Sequence, residues 1–160
     1  MKKTIPYGRH FIDKDDIENV VKVLKSGSIT QGPKIVEFEK KISKFVKSKY
    51  AVAVSSCTAG LHLSLLATGI KDKKKVITSP ITFVSTANSI KFCGNKIILE
   101  DVDHENFNLS IEKLKIKIKK NNIKFDAIIP VHFAGNPFDT KKLRKLVGQN
   151  KVIIEDAAHA

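Results

Sequence analysis

Short apolar runs alternate with longer stretches of helical periodicity from residue 50 onward, and this alternation restricts the fold more than any other feature. Strands that are joined through helices favour parallel pairing, because each connection must cross back over the sheet. Runs that are apolar or β-branched throughout indicate strands with helices on both faces. We therefore predict an α/β fold with three layers, α/β/α, around a mostly parallel sheet. The predicted strands lie near 50–54, 75–79, 96–99, 126–131 and 151–155, and the predicted helices near 59–69, 83–92, 110–121 and 139–148.

The residues before this alternating part predict two amphipathic helices. The stretch DKDDIENVVKVLKSG (13–27) begins with acidic residues, which helix N-termini favour, and ends in glycine. The stretch PKIVEFEKKISKFVKSK (33–49) begins with proline, which is favoured in the first helical turn. We predict an N-terminal arm with helices over 1–48 and the α/β region over 49–160.

The charge of the chain bears on nucleic acid as a partner. The net charge is +13, and lysines that neutralise phosphates supply affinity that does not depend on base sequence. The lysines are scattered, however, with the densest group in EKLKIKIKKNNIK (112–124), and aromatic residues are not interleaved with them. A solvated helix face therefore explains the charge better than nucleic-acid binding does.

The start of the chain and its cysteines argue against two further classes. No apolar run approaches the roughly 20 residues that span a bilayer, and no leader-like stretch follows MKKTIPYGRH, so we expect a cytoplasmic protein without a membrane partner. Cys57 and Cys93 are too few for a disulfide framework and lack the spacing of a zinc site, so no metal is expected. We predict that both thiols are buried.

Nucleotide-binding fingerprints are missing from the sequence. No Gly-x-Gly-x-x-Gly motif follows the first predicted strand, and no Gly-Lys-Ser/Thr loop occurs, which argues against a dinucleotide dehydrogenase and an NTPase. In open parallel sheets, ligands bind beyond the carboxyl ends of the strands. The candidate site residues therefore lie in the segments that follow the strands, which are SSCTAG, SPITF, EDVD, HFAGN and DAAH.

Three of these segments carry residues for which two roles remain open. The turn at Cys57, Thr58 and Ala59 leads into a helix, where free N–H groups either bind an anion or are capped by a hydroxyl. Phe83 is either a core residue or a flat surface for a heteroaromatic ligand. Asp156 ends an apolar strand, so its carboxylate either faces a cationic partner or caps a following helix.

Four motifs, taken in their order along the chain, resemble a known enzyme family. SSCTAGLH, SPITFVSTAN, PVHFAGNP and IEDAAHA resemble the DegT/DnrJ/EryC1/StrS family of pyridoxal-phosphate sugar aminotransferases, and the resemblance covers essentially the whole chain. IPYGRHFID, SITQGP and FCGNK are most similar to the branch that aminates UDP-4-keto-6-deoxy-N-acetylaltrosamine on the route to pseudaminic acid.

The resemblance implies a pyridoxal 5'-phosphate site. The turn around Thr58 matches the family's phosphate-binding turn, with cysteine in place of the usual glycine. Phe83 matches the aromatic residue that stacks on the cofactor ring, Asp156 the carboxylate that pairs with the ring nitrogen, and His159 a position near the phenolic oxygen. The implied cofactor-binding residues are Cys57, Thr58, Ala59, Phe83, Asp156 and His159.

The resemblance also implies the architecture and the chemistry of the whole enzyme. The fold would be that of the fold-type-I aminotransferases, working as a homodimer, and residues 49–160 would form the first part of the large, cofactor-binding domain. The Schiff-base lysine would lie beyond residue 160, so that no catalytic residue falls within the chain. The substrates would be a 4-keto-6-deoxy sugar nucleotide and an amino donor, glutamate.

Two alternative functions remain at this point. Some relatives in the family carry histidine in place of the lysine and dehydrate the sugar, and residues 1–160 do not distinguish the two reactions. A lysine-rich domain without enzymatic activity, which binds nucleic acid, is the other alternative.

Overall fold

The computed structural model describes residue 6 and residues 8–160. The contacts divide the chain into two compact units, Met1–Ala53 and Val54–Ala160. The motif IPYGRHFID lies partly outside the described residues, because residues 5 and 7 are not among them. None of the helices in the described ranges has the length and the apolar character that crossing a bilayer requires.

The first unit contains the two predicted helices, α1 (Lys14–Leu24) and α2 (Pro33–Phe45). A capping box starts α1, in which Asp16 N donates to Asp13 Oδ1 at 3.0 Å and Asp13 N donates to Asp16 Oδ2 at 3.1 Å. Pro33 occupies the first turn of α2, where its missing N–H costs no hydrogen bond. Neither helix has a buried residue.

The strand that the sequence predicts over 50–54 is wrong. These residues form no strand, and Val52 is 76% exposed. A strand requires a neighbouring strand to satisfy its backbone, whereas here the N–H of Ala53 donates to the side chain of Glu39 at 2.8 Å. This apolar run therefore has the propensity of a strand but no neighbouring strand among the described residues.

The second unit contains a four-stranded parallel sheet between four helices. All three strand pairings are parallel, and the strand order is β2-β1-β3-β4. The strands are β1 (Lys75–Thr78), β2 (Lys96–Leu99), β3 (Ala127–Ile129) and β4 (Val152–Ile153), and the helices are α3 (Cys57–Ala67), α4 (Val84–Phe92), α5 (Ile111–Lys119) and α6 (Thr140–Val147).

Each face of the sheet is covered by its own hydrophobic cluster. On one face, Val76 packs with Leu65 of α3 and Ile90 of α4. On the other, Ile77 packs with residues of α5 and α6. Adjacent residues of β1 thus point to opposite faces, as the pleat of a strand requires, and both faces are apolar. The α/β/α layers and the parallel sheet are confirmed.

The order of the strands reverses beside β1. The chain runs from β1 to its neighbour β2 and then returns to the other side of β1 as β3. The hydroxyl of Thr78, at the end of β1, donates to the carbonyl of Ile129 at the end of β3, at 2.9 Å. In open α/β sheets such a reversal opens a crevice at the carboxyl ends of the strands, where ligands bind.

Candidate cofactor-binding site

Asp156 lies at the carboxyl edge of the sheet, directly beyond β4. Its backbone continues the pairing of β4 with β3, because its N–H donates to Pro130 O at 2.9 Å and its carbonyl accepts from His132 N at 3.0 Å. The residue is 5% exposed. The sheet thus fixes the backbone of Asp156 and buries its carboxylate near the point where the strand order reverses.

Within the described residues, the carboxylate of Asp156 accepts hydrogen bonds from neutral groups alone. Thr86 Oγ1 donates to Oδ2 at 2.6 Å, Cys57 Sγ donates to Oδ1 at 3.6 Å, and Ala158 N donates to Oδ1 at 3.4 Å. Among the described residues, no lysine, arginine or histidine forms an ion pair with it. A buried charge without a cation carries a desolvation cost that a cationic ligand would offset.

The alternative role of Asp156, as the cap of a following helix, finds no support within residues 157–160 and stays an alternative. Residues 157–160 form a turn and not a helix, with Ala160 N donating to Ala157 O at 3.1 Å. The contact from Ala158 N to Asp156 Oδ1 is local to that turn.

The first turn of α3 supplies free backbone donors. Ser56 is the N-cap, and its hydroxyl accepts from Ala59 N at 3.2 Å. The N–H groups of Cys57 and Thr58 have no acceptor among the residues that the structure describes. The two interpretations of this turn are therefore compatible, since the cap satisfies one donor and leaves two that can bind an anion with the favourable end of the helix dipole.

Cys57 differs from the sequence-based prediction. Cys93 is buried, as predicted, whereas Cys57 is exposed, so the prediction of a buried thiol at Cys57 is wrong. Its position at the helix start, which the sequence analysis placed at the ligand edge, explains the exposure. Partial desolvation of the sulfur, together with the nearby Asp156 carboxylate to which it donates, raises the pKa of the Cys57 thiol. Cys57 is therefore a hydrogen-bond donor and not a thiolate.

Phe83 is the N-cap of α4 and is 75% exposed. Of its two alternative roles, the core residue is thus wrong. Thr86, which donates to Asp156, belongs to the same helical turn, and its N–H donates to Phe83 O at 3.1 Å. An exposed aromatic ring therefore lies one turn from the partner of the buried carboxylate.

His159 is exposed, and its ring forms no hydrogen bond with the described residues. Its backbone is closely packed instead, because a Cβ added to Gly135 would lie 2.7 Å from the carbonyl oxygen of His159. Gly135 also has a φ of 81°, so both the close contact and the left-handed backbone favour glycine at this position. The role of His159 near a phenolic oxygen stays a prediction.

Sequence reasoning missed Thr82 and Thr86. Thr86 is fully buried, and its Oγ1 lies 2.7 Å from that of Thr82 as well as 2.6 Å from Asp156 Oδ2. The signal was present in the spacing, since a residue three positions after Phe83 lies on the same side of a helix that begins there. That spacing could not predict that Thr86 contacts Asp156, which lies 70 residues away in the sequence.

Two curated bacterial proteins are similar to the chain over almost all of its length. The spore coat polysaccharide biosynthesis protein SpsC of Bacillus subtilis is 42% identical over 98% of the chain. The UDP-4-amino-4-deoxy-L-arabinose–oxoglutarate aminotransferase of Shewanella sediminis is 41% identical over 98% of the chain. The chain spans 40% of the length of each of these relatives.

A solved structure in its PLP form has the same fold as this chain. The putative sugar aminotransferase Spr1654 from Streptococcus pneumoniae, PLP form, superposes with a TM-score of 0.86 at 28% identity, covering 99% of this chain and 44% of that one. The family match itself extends over residues 10–160. This protein therefore belongs to the DegT/DnrJ/EryC1/StrS aminotransferase family.

Proposed function

We propose that this chain forms part of a pyridoxal-phosphate-dependent aminotransferase that acts on a keto sugar nucleotide. The observation that carries the proposal is the buried carboxylate of Asp156, which has no cationic partner in the described ranges and lies beside two free backbone donors of α3. Pyridoxal phosphate contains a cationic ring nitrogen and an anionic phosphate, so its charges match this pair of groups.

Each residue has a defined task in this proposal. The N–H groups of Cys57 and Thr58 bind the phosphate, and Ala59 supports that turn through its bond to the cap. Asp156 accepts the hydrogen bond of the ring nitrogen and holds its proton, and Phe83 packs on the ring. His159 is proposed to contact the phenolic oxygen. When bound, the cofactor carries the amino group and withdraws electrons from the reacting carbon.

The substrates follow from the motifs and from the relatives. Glutamate is the proposed amino donor, which agrees with oxoglutarate in the name of the Shewanella protein. Among keto sugars, we propose UDP-4-keto-6-deoxy-N-acetylaltrosamine because of IPYGRHFID, SITQGP and FCGNK. The proposal includes a cytoplasmic homodimer, in which residues 1–48 form the arm and residues 49–160 begin the cofactor domain. The Schiff-base lysine is proposed to lie outside residues 1–160.

The test compares two aspartate substitutions in the longest native chain that contains residues 1–160. Asp156→Asn removes the charge that faces the ring nitrogen, so the dissociation constant for pyridoxal phosphate should rise about 30-fold or more. Asp126→Asn is the control, because Asp126 precedes β3 at the opposite edge of the sheet and pairs with Lys74; it should change the constant by less than about 2-fold. Equal constants for both variants would contradict the proposal.

Product analysis separates the proposed reaction from the dehydration. With glutamate and the keto sugar nucleotide, mass spectrometry should detect an amino sugar and stoichiometric oxoglutarate. A deoxy sugar that has lost a hydroxyl group would assign the chain to the dehydratases instead. Binding of arbitrary DNA with a steep salt dependence, in the absence of cofactor binding, would support the non-enzymatic alternative.

A further inference from the structure

We propose that Thr86 is a positioning residue that fixes the Asp156 carboxylate relative to the turn that carries Phe83, through a chain of hydroxyl groups that begins at Thr82. The inference rests on the proposed function, because Asp156 and Phe83 are the residues that would contact the cofactor ring. It goes further in assigning roles to two threonines outside that set of contacts.

The direction of the hydrogen bonds follows from the chemistry of the groups. A carboxylate only accepts hydrogen bonds, so Thr86 donates its single hydroxyl proton to Asp156 Oδ2, at 2.6 Å. The oxygen of Thr86 must then accept in its contact with Thr82 Oγ1, at 2.7 Å. The chain thus runs from Thr82 through Thr86 to Asp156, and each donor polarises the next one.

Burial makes the Thr86 bond hard to replace. Thr86 is fully buried and Asp156 is 5% exposed. Water therefore has little access to the carboxylate oxygen that Thr86 contacts, and loss of the hydroxyl would leave that oxygen with no donor among the described residues. Cys57 cannot compensate, because its thiol contacts the other oxygen, Oδ1, at 3.6 Å.

The backbone of Thr86 connects the same residue to the aromatic ring. Its N–H donates to Phe83 O at 3.1 Å, in the first turn of α4. One residue therefore holds the turn of Phe83 through its main chain and Asp156 through its side chain. Rotation of the Asp156 carboxylate, or movement of α4 away from it, would require breaking the Thr86 bond.

The experiment compares Thr86→Val, which keeps the shape and removes the hydroxyl, with Thr86→Ser, which keeps the hydroxyl. Both are made in the longest native chain that contains residues 1–160, together with Asp156→Asn. The readouts are the dissociation constant for pyridoxal phosphate and the ¹⁵N resonance of the ring nitrogen in labelled cofactor. Thr86→Val should weaken binding about 10-fold or more and move the resonance toward that of Asp156→Asn. Thr86→Ser should retain the native resonance.

The outcomes separate this inference from the proposed function. If Asp156→Asn weakens binding but Thr86→Val leaves both readouts native, the positioning role is refuted and the proposed function stands. If Asp156→Asn has no effect either, the proposed function falls. A serine variant that behaves like the valine variant would also refute the positioning role, because shape rather than the hydroxyl would then matter.

A second variant covers the case in which Thr86→Val does not fold. Thr82→Val removes the donor to Thr86 at a half-buried position and leaves the bond from Thr86 to Asp156 in place. It should move the nitrogen resonance in the same direction by a smaller amount and weaken binding about 2- to 5-fold. An unchanged resonance in this variant would refute the hydroxyl chain.

Discussion

Two buried carboxylates follow strands at the same edge of the sheet, and their surroundings differ. Glu100, beyond β2, is 4% exposed, and its Oε2 lies 3.2 Å from Lys117 Nζ as an ion pair without hydrogen-bond geometry. The same lysine donates to Leu99 O at 2.9 Å. Asp156 is buried to a similar extent, but its partners in the described part of the chain are a hydroxyl, a thiol and an N–H group.

The difference teaches that burial of a carboxylate does not by itself mark a ligand site. The charge of Glu100 is balanced within the chain by Lys117. A cationic ligand would therefore gain little from binding to this carboxylate. Among the described residues, the charge of Asp156 is stabilised by dipoles alone, so a cationic ligand would be stabilised more at Asp156 than at Glu100. The source of the balancing charge distinguishes the two sites.

The largest expected effect on stability comes from removing the balancing charge at Glu100. Lys117→Met leaves Glu100 buried and unpaired, so the free energy of unfolding should fall by about 2 kcal/mol or more. Asp156→Asn leaves no cation without a partner, so in the absence of cofactor it should lower the free energy of unfolding by less than about 1 kcal/mol. Urea unfolding measures both, with Lys115→Met as the control, since Lys115 is an exposed lysine of the same helix. Equal losses at Lys117 and Asp156 would contradict the comparison.

A smaller difference in stability is expected between two glycine substitutions, one packed against the turn beyond Asp156 and one in an open turn. Gly135→Ala places a methyl group 2.7 Å from His159 O, whereas Gly69, whose φ is also positive at 73°, has nothing within 4 Å. Gly69→Ala should cost about 1 kcal/mol for the left-handed backbone alone. Gly135→Ala should cost about 1 kcal/mol more, because the clash adds to it. Thermal unfolding of the two variants tests this, and an equal shift would mean that the turn beyond Asp156 relaxes freely.

The smallest expected effect concerns the reactivity of Cys57. Its raised pKa keeps the thiol protonated at neutral pH, so alkylation by iodoacetamide should be slow and should accelerate as the pH rises past the ordinary thiol value of 9.0. Asp156→Asn removes the negative charge, so the pKa should fall and alkylation at pH 8 should become faster by a few-fold. Peptide mapping follows Cys57 separately from the buried Cys93, and a rate that Asp156→Asn leaves unchanged would contradict the proposed contact.

The sequence predicted the parts of the fold that local patterns determine. Helices and strands from 59 to 155 lie where the periodicity places them, because each apolar run has a neighbouring strand and a helix to pack against. The prediction failed at 50–54, where the apolar run has no such neighbour in the described part of the chain. Strand propensity describes fitness for a sheet, and only the tertiary structure decides whether a sheet is present.

The candidate site could be predicted from the sequence only in its outline. The carboxyl-edge rule brought Cys57, Phe83 and Asp156 to one edge of the sheet, and the structure places Cys57 in contact with Asp156. The exposure of Phe83, the exposed thiol and the hydroxyl chain through Thr86 depend on packing between segments far apart in the sequence. The spacing of residues within one segment cannot predict contacts between different segments.

The free donors at the start of α3 are main-chain groups, and this has a consequence for how the motif should be written. Cys57 is not among the residues with a positive φ, so its backbone is available to any amino acid and does not require glycine. The side chain at this position can therefore vary while the N–H groups keep their direction. A search pattern that demands glycine at this position would therefore miss chains such as this one, in which a residue other than glycine leaves the same N–H groups free.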